Sequence, residues 1–146
     1  MQYKGQLAPL GPEIVKVALS RQSNADVGEY IRKQFVNGMR QGENLCFDLD
    51  TTTPNFADFD VDGTFKADVF FNWEEMNKEA EYMKYVREDE NHGIGGINPG
   101  HGYCRSDAFA MIIRSGLENE EEMNNLIGQI PLFNSMFHHV IIEWGE

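Results

Sequence analysis

A cysteine that follows a glycine-rich loop is the clearest chemical signal in this sequence. Five glycines and one proline lie between His92 and Cys104, and the apolar run after the cysteine predicts a helix that begins there. A thiol at a helix start lies among unpaired N–H groups at the positive end of the helix dipole, and both favour the thiolate. His138 and His139 head the last apolar segment and supply a candidate base. These residue types are those of a cysteine nucleophile activated by an imidazole.

The stretch GYCRSDAFAMIIRSG, followed 35 residues after the cysteine by HHVIIEW, resembles the cysteine helix and the histidine strand of transglutaminase-like and papain-like enzymes. The resemblance implies a hydrolase or acyltransferase in which Cys104 is the nucleophile and His139 is its base, with Glu143 on the same strand face as His139. The structural alternative is an inert, buried Cys104 and a His139–Glu143 pair that only stabilises the strand.

A zinc-binding module is a second alternative for the same region. His101 and Cys104 have a spacing that zinc ligands use, and His92 and His138 are further candidate ligands. The pattern lacks a second closely spaced pair of cysteines. We therefore predict neither a bound metal nor a cofactor.

The acidic side chains are concentrated in the last two thirds of the chain. The sequence has 24 acidic and 12 basic side chains, a net charge of -12. Residues 1–43 carry six basic and four acidic side chains, whereas residues 44–146 carry six basic and twenty acidic ones. A strongly negative surface repels nucleic acid and anionic membranes and favours basic partners. The charge therefore predicts no direct nucleic-acid or membrane binding.

Hydropathy and cysteine content limit the class of protein and its compartment further. No apolar run approaches the roughly 20 residues that a transmembrane helix needs, and the first residues do not resemble a signal peptide. Two cysteines are too few for a disulfide scaffold. These features predict a cytoplasmic protein.

Local patterns predict two helices and a strand in the first third of the chain. A first helix is predicted over residues 12–20 and a second after the capping pair Ser23 and Asp26, with Gly42 as its end. Off the apolar stripe of the second helix lie Arg32, Lys33 and Arg40, which predicts a basic outer side. A strand is predicted over residues 45–49, where apolar residues alternate.

The rest of the chain predicts a hairpin, three helices and a last strand. Residues 56–71 fit a β-hairpin with a three-residue loop that places Val61 opposite Phe65. The helices are predicted over residues 73–87, after Cys104 and after Asn119, and HHVIIEW is the last strand. The order of elements predicts one α+β domain over residues 1–146, with a small, mainly antiparallel sheet of about four strands covered by about five helices.

The leading functional prediction is a small acidic interaction protein without its own catalysis. It would dock on a basic protein surface, such as that of a nucleic-acid-binding protein, as an inhibitor or an adaptor. A viral antidefence or nucleic-acid-mimic protein fits the same description. Five carboxylates are the predicted contacts, two on the outer face of the hairpin and three in an acidic run: Asp58, Asp60, Glu120, Glu121 and Glu122. Charge complementarity would steer such an association.

Overall fold

The computed structural model describes residues 5–143 and Gly145, and its centre is a three-stranded parallel sheet. The strands are β1 (Gly5–Pro9), β2 (Asn44–Asp48) and β3 (Ala110–Arg114), in the order β1-β2-β3. Gly5 lies opposite Asn44, which lies opposite Ala110, and the register continues without a bulge. The prediction of a mainly antiparallel, four-stranded sheet is therefore wrong, although the chain combines helices and strands as expected.

Within residues 5–143, seven α-helices surround or follow the strands. Between β1 and β2 lie α1 (Leu10–Ala18) and α2 (Asn24–Gln41), and the other five are α3 (Ala67–Phe70), α4 (Trp73–Met76), α5 (Glu79–Tyr82), α6 (Glu120–Gln129) and α7 (Phe133–Met136). Short 3-10 helices occur at Phe56–Phe59, Met83–Tyr85 and Glu88–Glu90. Across residues 5–143, no helix combines the length and the apolar character needed to cross a membrane.

The longest helix, α2, begins and ends where its sequence signals predict. The Ser23 hydroxyl accepts a hydrogen bond from the Asp26 N–H, while the Asp26 carboxylate accepts one from the Ser23 N–H, which completes a capping box. Gly42 ends the helix with a positive φ of 67°, a conformation that side chains disfavour. The predicted apolar stripe packs into the core, because all four of its residues are buried: Val27, Ile31, Phe35 and Met39.

The predicted hairpin is wrong, except for its turn. Val61 and Phe65 form an antiparallel bridge around the expected three-residue loop, but both flanks are helical turns. The Asn55 side chain accepts from the Ala57 N–H, and the Asp60 carboxylate accepts from the Ala67 N–H at 2.8 Å. Such side chain–backbone bonds stabilise turns at the expense of strand ladders, which explains the difference.

Three other predicted elements also differ. The expected helix over residues 73–87 is divided into short pieces, and the expected helix after Cys104 is a loop followed by β3. The segment 138–143 of the predicted last strand has no regular structure, and Trp144 lies outside the described residues. The run that forms β3 contains Ile112 and Ile113, and apolar runs this short fit a buried strand as well as a helix.

One face of the sheet is buried and the other is open. Ala8, Leu45 and Phe47 point into the core, where α2 and the long β2–β3 connection cover them. On the opposite face, Leu7 and Ile112 are 62% and 46% exposed. Crossovers between parallel strands are right-handed, so an order of 1-2-3 places both crossovers on the same side. The topology therefore explains the open face, which is unusual for a parallel sheet.

Candidate functional site

The first turn of α6 carries a concentrated negative charge, in a segment we call the acidic turn (residues 118–122). The Asn119 side chain accepts hydrogen bonds from the N–H groups of Glu121 and Glu122, at 2.8 and 3.2 Å, and so caps the helix. The four glutamates of the acidic turn are exposed, and no basic side chain in the described part of the chain pairs with them. Carboxylates at a helix N-terminus interact favourably with its dipole, so they stabilise α6 while their charge faces solvent.

The other end of α6 opens into an apolar groove. The groove, of about 430 Å³, is lined by the apolar side chains of Ile127, Ile130, Leu132 and Phe133 and also by Gly128, Asn134 and Ser135. Leu132 lies on this lining with a φ of 58°, in the left-handed region that a leucine rarely adopts. Its carbonyl accepts hydrogen bonds from the Ser135 and Met136 N–H groups, which hold this conformation. A strained residue on an apolar groove is a feature found at binding sites.

The two aspartates predicted as contacts have different environments. Asp58 is exposed and receives a hydrogen bond from the Asn55 side chain at 3.2 Å. Asp60 is half-buried, and its carboxylate is engaged by the Ala67 N–H at the start of α3. Because the expected hairpin face does not form, the two aspartates do not share a strand surface. Of the five predicted contacts, the structure places Glu120, Glu121 and Glu122 together on one exposed turn.

Among the described residues, no hydrogen bond joins Cys104 to His139. Cys104 lies exposed in a loop, and its thiol donates to the Arg105 carbonyl at 3.5 Å. His139 is exposed and packs edge-on against the Phe133 ring, with 5.6 Å between ring centroids. Glu143 is exposed as well. The helix after Cys104 and the strand at His139, on which the enzyme resemblance depends, are both absent from the described residues.

The candidate zinc ligands do not form a cluster. Nowhere in the part of the chain that the structure describes do three His, Cys, Asp or Glu side chains come together in a way that could hold a metal ion. The His92 ring donates from Nδ1 to the Gly93 carbonyl at 2.8 Å and lies 3.4 Å from the Arg40 guanidinium. A neighbouring cation disfavours a bound metal ion. His101 and His138 are exposed.

Sequence reasoning missed a buried ion network around Arg32. Its side chain is fully buried, so its placement on a basic outer side of α2 is wrong. The guanidinium donates to Glu29 at 2.9 Å, to Glu90 at 2.7 and 2.8 Å, and to the Tyr85 carbonyl at 2.7 Å. The signal in the sequence is weak: Glu29 stands three residues before Arg32, and Glu90 lies 58 residues away.

The network shifts the ionisation of its members. Burial opposes the charge on Arg32, but the hydrogen bonds that it donates to Glu29 and Glu90 outweigh this effect and raise the pKa of the guanidinium. The hydrogen bond from Arg32 lowers the pKa of Glu29. Burial acts to raise the pKa of Glu90, yet its bonds from Arg32 and the Arg87 N–H lower it on balance. All three groups therefore stay charged at neutral pH and fasten residues 85–90 to α2.

Comparison with known proteins adds no family to these observations. No family model, no curated protein and no solved structure matches this chain.

Proposed function

We propose that this protein is a non-catalytic interaction protein that docks on a basic surface of a macromolecular partner, as an inhibitor or an adaptor. The observation that carries the proposal is the acidic turn, whose four carboxylates face solvent without a basic partner among the described residues. Unpaired carboxylates attract a cationic surface and accelerate its association with the protein.

The apolar groove supports a partner that is basic and also partly apolar. The groove and the acidic turn lie at opposite ends of α6, which has 10 residues and is therefore about 15 Å long. A basic amphipathic helix presents cationic and apolar side chains over a similar distance. The net charge of -12 disfavours nucleic acid itself as the partner. Both cysteines are free, which agrees with a reducing compartment such as the cytoplasm.

A defined peptide tests the proposal. We expect a fluorescent peptide with leucines at helical spacing (i, i+3, i+4, i+7) and lysines at the other positions to bind as an amphipathic helix in an anisotropy titration, and its counterpart with glutamates in place of the lysines not to bind. The triple variant Glu120→Gln, Glu121→Gln, Glu122→Gln should weaken binding about tenfold, a loss of about 1.4 kcal/mol, because it removes the local charge. Raising the salt concentration should weaken binding to the unchanged protein.

The control removes three charges elsewhere. Three glutamates that are exposed and form no ion pair among the described residues serve for this: Glu74→Gln, Glu79→Gln and Glu88→Gln. This variant has the same net charge as the test variant and should bind the peptide nearly as well as the unchanged protein. Equal losses in both variants would mean that only the overall charge attracts the peptide, and the proposed site would be wrong.

A further inference from the structure

Residues 138–143, which we call the tail, hold the most exposed cluster of apolar side chains near the end of the described chain. Val140, Ile141 and Ile142 are 76%, 61% and 75% exposed, and the tail makes no backbone hydrogen bond with any described residue. Three consecutive aliphatic β-branched residues are typical of a strand. Their exposure is a feature of surfaces that bind another protein.

The outer edge of β3 offers free backbone groups to such a segment. The Leu49 N–H donates to the Arg114 carbonyl at 2.9 Å, so the main chain of Arg114 faces β2. Because the direction alternates along a parallel strand, Met111 and Ile113 point their N–H and C=O groups away from the sheet. No turn, cap or side-chain bond within the described residues occupies these groups. The edge contains neither proline nor glycine, so it is open to strand addition.

A parallel register between the tail and β3 gives favourable side-chain contacts as well as backbone hydrogen bonds. With Val140 opposite Met111, Ile142 falls opposite Ile113, on the face that packs against the core. Ile141 then extends the row that Leu7, Cys46 and Ile112 form on the open face of the sheet. Glu143 falls opposite Arg114, which already pairs with Asp48 at 2.6 Å. The antiparallel register would place His139 at this arginine, so charge favours the parallel one.

The tail does not cover β3 of its own chain. Phe137 is held by the rings of Phe71 and Phe133, with centroid distances of 5.8 and 6.1 Å, and the tail leaves the core from this point. The open face of the sheet measures about 14 by 17 Å, or about 240 Å², from strand spacing and rise. A stable interface buries about 800 Å² on each partner. Stacking two open faces is therefore insufficient, and a dimer needs the tails as well.

From these observations we propose that two copies of this chain associate by exchanging their tails. The tail of each copy forms a fourth, parallel strand on the β3 edge of the other copy, with Val140 beside Met111 and Glu143 beside Arg114. The exchange is reciprocal, so the interface has two-fold symmetry and closes at a dimer. The acidic turn takes no part in it.

Cross-linking tests the register directly. In a full-length chain with Cys46→Ser and Cys104→Ser, one preparation carries Ile141→Cys and a second carries Ile112→Cys. Neighbouring strands lie about 4.8 Å apart, within the Cα range that a disulfide spans. Oxidation of the mixture should give a covalent dimer on a non-reducing gel. A control preparation that carries Leu7→Cys in place of Ile112→Cys should give no covalent dimer, because Leu7 lies on the same open face but two strands away from Ile112.

A pair of proline variants tests the strand itself by light scattering across a concentration series. We expect a mass approaching twice the 16.7 kDa of one chain as the concentration rises. Ile141→Pro removes the N–H that would bond to the Met111 carbonyl, so it should lower the dimer fraction about tenfold. The Val140 N–H points away from β3, so the control variant Val140→Pro should retain most of the dimer. Equal dimer fractions in these variants, or a monomer mass up to about 1 mM, would overturn the proposal.

Salt separates this association from the docking of a basic partner. Each copy carries a net charge of -12, so screening should strengthen the dimer, whereas it should weaken peptide binding. A dimer that dissociates as salt rises would show that charge attraction, and not strand exchange, holds the copies together. The triple variant of the acidic turn should dimerise at least as well as the unchanged protein.

Discussion

The two longest helices of the described chain, α2 and α6, are built from similar signals but have different environments. Each is capped by the side chain before it, Ser23 or Asn119, and each contains an interior glycine. Eight residues of α2 are buried, whereas Leu126 is the one buried residue of α6. The difference teaches that caps and charge determine where a helix begins, while tertiary packing determines whether it serves the core or the surface.

The largest expected effect concerns the ion network that only α2 has. Arg32→Leu should reduce the free energy of unfolding by about 3–5 kcal/mol, because it leaves two carboxylates without their buried cation. Arg114→Leu removes the exposed pair with Asp48 and should cost at most about 1 kcal/mol. Urea unfolding followed by circular dichroism measures both. A loss at Arg32 no larger than that at Arg114 would contradict the assigned role of the network.

A matched pair of glycine variants compares the two helices directly. A Cβ at Gly28 of α2 would lie 2.4 Å from the Phe59 carbonyl oxygen, so Gly28→Ala should destabilise the protein by about 1–3 kcal/mol. Among the described residues, no atom outside the neighbouring backbone of α6 lies within 4 Å of the corresponding position at Gly128, and Gly128→Ala should stabilise the protein by about 0.5–1 kcal/mol. Thermal unfolding of the two variants should therefore shift in opposite directions; shifts of the same sign would contradict the difference in packing.

A further expected effect concerns the strained residue after α6. Leu132→Asn should raise the free energy of unfolding by about 1 kcal/mol, because asparagine tolerates the left-handed conformation. The same change should reduce binding of the lysine–leucine peptide severalfold, since it removes an apolar side chain from the groove. Leu19→Asn is the control, because Leu19 is also exposed but has a φ of -87°. It should change neither the free energy of unfolding nor the binding of the peptide. A variant at Leu132 that keeps full binding would exclude this residue from the site.

Sequence patterns predicted the elements whose signals are local. The starts of α2 and α6 follow from Ser23 and Asn119, and the end of α2 follows from Gly42. The alternating apolar residues of β2 are buried, as their spacing predicts. In each case neighbouring side chains supply the hydrogen bonds or the burial, so the information is contained in a few adjacent residues.

Elements that depend on distant contacts were not predictable in this way. The strand β1 includes Gly5 and Pro9, which disfavour strands in isolation, and it forms because β2 pairs with it. The apolar run of β3 resembles a helix until its partner is known. The burial of Arg32 depends on Glu90, which the sequence places far away. For the candidate site, the sequence located the exposed glutamates of α6 but not the groove or Leu132, because a positive φ at leucine has no sequence signature.

The strand register has a consequence for the rate of folding. β2 and β3 meet through residues such as Asp48 and Arg114, which are 66 positions apart. Closing a loop of that length before any pairing is unfavourable, and proteins dominated by distant contacts fold slowly. We therefore expect the capped α2 to form early and β3 to join the sheet last. A chain just released from the ribosome then passes through a state in which the β3 edge, where we propose that the tail of a second copy pairs, does not yet exist.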